Sequence, residues 1–404
     1  MKMTRHANIV MCICVTMTLA ACGGGGSASS PSAPTPAPVV APALNTNQVV
    51  VTVEQNPAVS ANATVNQPYV TVRICDTNNN CQNIDYVLVD TGSYGLRLFA
   101  SAVSLNLPPE MTPSGGVPQP VGECASFVSS YTWGPVREAT VMLNGESAAS
   151  IPVQIIADPN FASVPVSCSN NAGPSISTAH DLGANGILGV GLFKHDGGNY
   201  YACSGSSGTS CVSVTLAGSS QVVNPVAAFS SADNNGVILS LPSVPATGQQ
   251  SATGTLTFGL DTQADNALAG FSIVPADSSG YISSNFNHQT FTQTYIDSGS
   301  NFNFLILTGY PADSNGNYTP PNPVSFPMSL SSTVSANGAT SFFYLDPQPQ
   351  SFMFNAYPGL ASNYGVALSS QADLGASWLY GHSVAYAING NTLSEGPTPF
   401  YGFQ

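Results

Sequence analysis

The 404-residue sequence predicts an all-β protein built of short strands. Only 6% of its residues are charged, too few for helices laced with ion pairs, while Ser, Thr and Asn abound beside 38 Gly and 31 Pro that supply turns. From Val49 to Gln404 the apolar residues alternate or cluster in short β-branched runs, and no long 3.6-residue period appears. A hydrophobic content of 43% is enough for a sizeable core, in one large domain or two of ordinary size.

Read in order, the chain begins with an address. MKMTRHANIV carries positive charge, an apolar run follows through IVMCICVTMTLA, and LAAC closes at Cys22. This resembles a bacterial lipoprotein signal spanning 1–21, which implies lipidation of Cys22. The apolar run is shorter than the roughly 20 residues a membrane span needs. Gly23 follows the cysteine where inner-membrane lipoproteins of this kind carry aspartate, so the resemblance implies a cell-envelope lipoprotein at the outer membrane, facing the periplasm or the cell surface. Residues 22–47, Gly/Ser-rich and then Pro/Ala-rich, cannot bury a core and read as a tether. Folded sequence is expected from about Val49, with strands at Val49–Val53, Tyr69–Ile74, Tyr86–Val89, Ala139–Leu143 and Val153–Ala157.

Charge argues against nucleic acid as a partner. Six basic residues fall to four once Lys2 and Arg5 leave with the leader, against twenty acidic ones. Setting aside Cys12, Cys14 and Cys22 leaves six cysteines, an even number that suits an exported protein with three disulfides. CDTNNNC and CSGSSGTSC each look like a loop stapled at its neck, giving Cys75–Cys81 and Cys203–Cys211 and leaving Cys124 with Cys168. The spacing does not suit a metal site, the histidines are scattered, and neither metal nor cofactor is expected. GGGG at 23–26 lacks the Lys and the preceding strand of a phosphate loop, and no Gly-x-Ser-x-Gly elbow is present. DTNNN and SADNNG read as turns rather than calcium loops.

The chemistry-bearing feature is a doubled motif. YVLVDTGSYGLRLF places Asp90 after an apolar strand and before Thr-Gly-Ser; TQTYIDSGSNFNFLIL places Asp297 likewise before Ser-Gly-Ser. One copy would be an ordinary strand end. Two copies about two hundred residues apart look like the halves of one site. Like charges at contact distance cannot both ionise, so such a pair shares a proton and supplies one acid and one base for hydrolysis. Gly92 and Gly299 keep the turns slim, and the hydroxyls of Thr91, Ser93, Ser298 and Ser300 can orient the carboxylates.

The chain resembles the pepsin-like, bilobal aspartic proteases. YGLRLF stands where that family has a Ser-Asn-Leu-Trp-like run, GANGILGVG (183–191) resembles its Asp-Gly-Ile-Leu-Gly-Leu-Gly stretch, and ATGTLTFGLDT (252–262) its strand near the lobe boundary. SWLYGHSVAYAIN (377–389) resembles the second lobe's Trp-Ile-Leu-Gly-Asp run. The resemblance implies an N-terminal lobe at 48–265 and a C-terminal lobe at 266–404, joined between Thr262 and Phe271, with a cleft between them for a peptide or protein substrate. It also implies a flap hairpin within FVSSYTWGPVREATVML, with Tyr131, Trp133 and Gly134 as the residues covering substrate and Trp133 at the tip. Arg97 replaces a family tryptophan, and His382 a family aspartate. The block CQNIDYVLVDTGSYGLRL is also similar to uncharacterised Gram-negative lipoproteins. The expected function is a monomeric, envelope-anchored aspartic endopeptidase; the alternative is a non-catalytic protein that binds protein or glycan in the same groove.

Overall fold

The structure is a computed structural model, and it describes residues 44–404 apart from 60–63, 129, 171–172, 205–209 and 350–351. The expected leader, Cys22 and the tether up to residue 43 lie outside the described residues. The fold is all-β: the described α-helices are three four-residue turns, Val166–Ser169, Ala179–Leu182 and Ala376–Leu379.

Each expected strand forms, usually longer than its apolar kernel: Gln48–Val53, Pro68–Cys75, Cys81–Asp90, Tyr131–Leu143 and Glu146–Ile156. Polar ends extend because cross-strand backbone pairing continues past the buried residues. The end of the expected tether is part of the body. Asn47 is fully buried and donates from Nδ2 to the Phe258 carbonyl at 3.1 Å, and Asn45 donates to Asp265 at 2.8 Å. Asparagine at these positions satisfies backbone and carboxylate acceptors that a Pro/Ala tether would leave unmet.

Three sheet regions organise the body. In the first lobe six strands close on themselves: Pro68–Cys75, Cys81–Asp90, Gly186–Val190, Tyr94–Phe99, Glu146–Ile156 and Tyr131–Leu143, the last pairing back onto the first. Closure removes the exposed edge that an open sheet would carry. In the second lobe a seven-stranded sheet runs from Ile282 to Gly375. Between them lies an antiparallel run of Gln48–Val53, Ala252–Phe258, Gly236–Ser240, Ser383–Ala387, Phe400–Phe403 and Ser272–Pro275, drawn from both ends of the chain.

The two lobes repeat one arrangement. Cys81–Asp90 pairs in parallel with Gly186–Val190, setting Asp90 beside Gly189; Gln289–Asp297 pairs in parallel with Gln371–Gly375, setting Asp297 beside Gly375. The second Leu-Gly is therefore Leu374-Gly375, in ADLG, and not the WLYG of the expected match. Trp378 instead stacks on His382 with ring centroids 4.3 Å apart, and His382 bonds the Trp378 carbonyl and Ser341 Oγ, each at 3.0 Å. The register of the parallel pair, invisible in local sequence, decides which Gly is which.

All three expected disulfides are present: Cys75–Cys81, Cys124–Cys168 and Cys203–Cys211. Cys124 and Cys168 are buried in a small satellite core with Tyr131, Trp133, Phe161 and Tyr201. Their bridge spans 44 residues, against 6 and 8 for the others. By loop-closure entropy the long bridge contributes about 4 kcal/mol and each short one about 2 kcal/mol. A Cys124→Ala/Cys168→Ala protein should therefore lose clearly more unfolding free energy in urea than a Cys75→Ala/Cys81→Ala protein; equal losses would contradict this.

Candidate active site

The apolar strand ends deliver the two aspartates. Val87, Leu88 and Val89 are buried, as is Ile296, so hydrophobic burial fixes where each strand stops and its carboxylate emerges. Asp90 is 6% exposed; Asp297 is half-buried, on the same cleft.

The loops that follow grip one another. The Thr91 amide donates to Ser298 Oγ at 3.1 Å and the Ser298 amide to Thr91 Oγ1 at 2.9 Å. Each hydroxyl then donates to the other lobe's strand, Thr91 Oγ1 to the Ile296 carbonyl at 3.1 Å and Ser298 Oγ to the Val89 carbonyl at 2.6 Å. Thr91 and Ser298 are both buried, so every one of these groups would otherwise be an unpaired polar atom, at roughly 1–3 kcal/mol apiece.

The glycines let the carboxylates meet. A Cβ on Gly92 would stand 2.5 Å from Asp297 Cγ, and one on Gly299 would stand 2.6 Å from Asp90 Cγ and 3.1 Å from Asp297 Oδ1. Each slim turn thus lies against the opposite lobe's acid, a space no side chain can share.

The hydrogen bonding of the two acids is unequal. Asp90 accepts from three donors: the Gly92 amide at 2.9 Å, the Ser93 amide at 3.1 Å, and Ser93 Oγ at 2.5 Å. Asp297 accepts from two, the Gly299 amide at 2.8 Å and Ser300 Oγ at 3.0 Å. Ser300 Oγ is also 2.6 Å from Asp373 Oδ2, so its one proton is contested. Burial first, and then the charge of Asp90, hold the Asp297 carboxyl well above the ordinary carboxylate range. Burial raises Asp373 as well, with Asp90 adding to the effect. With fewer donors and a raised carboxyl, Asp297 keeps a proton to higher pH than an ordinary carboxylate does.

Around the dyad lies a cleft of about 470 Å³, lined by apolar Ile176, Leu182 and Leu192 and by the rings of Tyr94, Tyr281 and Tyr295. The Tyr94 phenol is raised by burial and then by the nearby Asp90 and Asp297 charges. The hairpin of Val117–Ser126 and Tyr131–Leu143 overhangs this cleft, as expected of a flap, but its strands end at Ser126 and Tyr131, and Ser126, Phe127, Val128 and Ser130 line the space. Trp133, Tyr131 and Gly134 are not at the tip. Trp133 is 4% exposed, donates from Nε1 to the Phe161 carbonyl at 2.7 Å and packs edge-on against Tyr201. Tyr131 is buried in the same satellite core, and a Cβ on Gly134 would collide with the Ile155 carbonyl. Pairing opposite Cys124 draws Trp133 inward, toward the bridge.

Arg97, in place of the family tryptophan, is buried beside the loop that follows Asp90. It is 1% exposed, ion-paired to Glu123 at 2.7 Å and to Asp196 at 2.5 Å, and donates to the Tyr94 carbonyl. Sequence reasoning missed Asp373; the signal was an acid two residues before a Gly where the first lobe has Ile187 before Gly189. DTNNN is a turn: Asp76 accepts from the Asn78 and Asn80 amides.

An acid raised in the folded state favours folding below its unfolded pKa, and that contribution is lost as pH rises through the folded value. For Asp297 the window opens near pH 4 and extends upward. Asp297→Asn should lose less stability than the wild type between pH 4 and 7 in thermal melts; parallel curves would refute the raised carboxyl. Gly92→Ala should part the two loops and lower stability at every pH.

No curated protein matches the chain. Among solved structures it is similar to the aspartic proteinase from Irpex lacteus, at 14% identity and a TM-score of 0.48, with 88% of this chain and 96% of that one covered. Residues 43–403 match the family described as "Protein of unknown function (DUF3443)", and the chain belongs to that family.

Proposed function

We propose that this chain is an envelope-anchored aspartic endopeptidase, held by a lipid on Cys22 and cutting peptide bonds in an extended chain laid across the interlobe cleft. The observation that carries the reading is the reciprocal packing of Asp90 and Asp297 with unequal donor sets. An architecture needing only to bind would gain nothing from two costly acids in contact.

The chemistry follows from that inequality. Asp297, holding the shared proton, donates toward the carbonyl oxygen of the scissile bond and polarises it. Asp90, oriented by the Gly92 and Ser93 amides, takes a proton from the attacking water. A tetrahedral intermediate forms, and its collapse with protonation of the leaving nitrogen yields two peptides. Ser93 and Ser300 donate to the two carboxylates and restrict their rotation. The flap residues Phe127 and Val128 exclude water from a bound chain, which strengthens every charge interaction beneath them.

Soluble protein lacking residues 1–43 should cleave a denatured protein at acidic pH, with activity falling as pH rises and the shared proton is lost. Asp90→Asn and Asp297→Asn should each lower kcat/KM by about 10²–10⁴-fold or more while keeping the folded circular-dichroism spectrum. A peptide with a non-cleavable tetrahedral centre should bind the wild type far better than its planar analogue. No cleavage at any pH together with no such preference removes the endopeptidase reading and leaves the fold intact.

A further inference from the structure

A second cavity opens on the Asp297 side, sharing Val128, Tyr295, Ser300 and Gln371 with the main cleft. Its volume is about 230 Å³, below the roughly 300–1,000 Å³ of pockets that take a whole small molecule. That space suits one side chain. Phe304, Tyr364 and Val366 give it apolar and aromatic walls, and Asp373 also lines it.

Asp373 is 5% exposed, and its two oxygens are unequally served. Oδ2 meets Ser300 Oγ, whereas Oδ1 has no hydrogen-bond partner among the described residues. The Tyr295 hydroxyl lies near enough to favour the ionised form without meeting Oδ1 at hydrogen-bond geometry. A buried carboxylate oxygen without a donor is costly and calls for a reason. Architecture does not supply one, because the corresponding place in the first lobe, two residues before Gly189, is held by apolar Ile187.

We propose that this cavity is a specificity pocket and that Asp373 selects a substrate side chain ending in a cation, arginine or lysine, beside the scissile bond. The inference rests on the endopeptidase reading for its substrate, though not for its pocket. A long aliphatic stem lies along Phe304 and Val366, the charged end passes the faces of Tyr295 and Tyr364, and Oδ1 gains its missing donor. Burial disfavours a lone carboxylate at Asp373, and an arriving cation restores the ionised form. A formal charge of -14 draws basic peptides to the protein. The chain itself has only six Lys and Arg residues, and of these Arg97 and Arg137 are engaged in ion pairs, so an enzyme with this preference spares its own sequence.

The test uses peptides identical except for Arg, Lys, citrulline or Leu at one position at a time, with cut sites mapped by mass spectrometry. In the wild type, Arg and Lys at one fixed position next to the cut bond should raise kcat/KM on the order of tenfold or more over isosteric, uncharged citrulline. In Asp373→Asn that ratio should fall toward one, whatever the absolute rate; peptide affinity is the readout for any variant too slow to assay. Equal handling of Arg and citrulline by the wild type, or a ratio that persists in Asp373→Asn, overturns the proposal. Should the wild type cut no peptide, the endopeptidase reading fails alone, and calorimetric affinities decide the pocket: an Arg-over-citrulline preference lost in Asp373→Asn upholds it, and no preference overturns it. Urea melts of Asp373→Asn establish that the variant is folded.

Discussion

The reciprocal hydrogen bonds between Thr91 and Ser298 are the constraint on which the site depends. Each residue uses its amide and its hydroxyl on the opposite lobe, so neither aspartate loop is complete without the other. The bonds also reach the carbonyls of Val89 and Ile296, the last residues before the two aspartates. Position is thereby transmitted from the strands to the carboxylates with no flexible linker between. Two acids that would repel one another are held together because separating the lobes would strand four buried polar groups.

What this grip concentrates is negative charge. Asp90, Asp297 and Asp373 gather around two serine hydroxyls, with no cation among their hydrogen-bond partners in the described residues. Such a cluster persists by keeping protons that isolated carboxylates would shed, and burial raises Asp297 and Asp373 accordingly. Asp90, with three donors, and Asp297, with two, make the pair unequal within a repeated architecture. Pseudo-symmetry builds the pair, and local departures from it set its two members apart.

The guanidinium that stands in place of the family tryptophan is committed to buried ion pairs. Arg97 sits beneath the flap hairpin, joining the Glu123 strand to the Asp196 loop and to the backbone after the first aspartate. Tyr200 completes this cluster through Asp196 at 2.8 Å and through the Val222 amide at 2.9 Å. Trp133 and the Cys124–Cys168 bridge brace the same hairpin from the satellite core. The base of the flap is thus fixed by a buried ion pair and a disulfide, leaving only its turn over the cleft.

Local sequence was sufficient for the strands, because apolar alternation and turn residues act over a few positions, and for the short disulfide loops, whose cysteines are near neighbours along the chain. It was sufficient too for the doubled Asp motif, since two copies of a strand ending in Asp-Thr-Gly or Asp-Ser-Gly carry their meaning in residue type. Only the tertiary structure decided the rest. Whether Trp133 faced substrate or core depended on its partner across the hairpin. Leu374-Gly375, and with it Asp373, was identified by the register of a parallel strand pair. Arg97 found its acids 26 and 99 residues away. Each of those outcomes is set by pairing between distant strands, and no window of neighbouring residues contains that information.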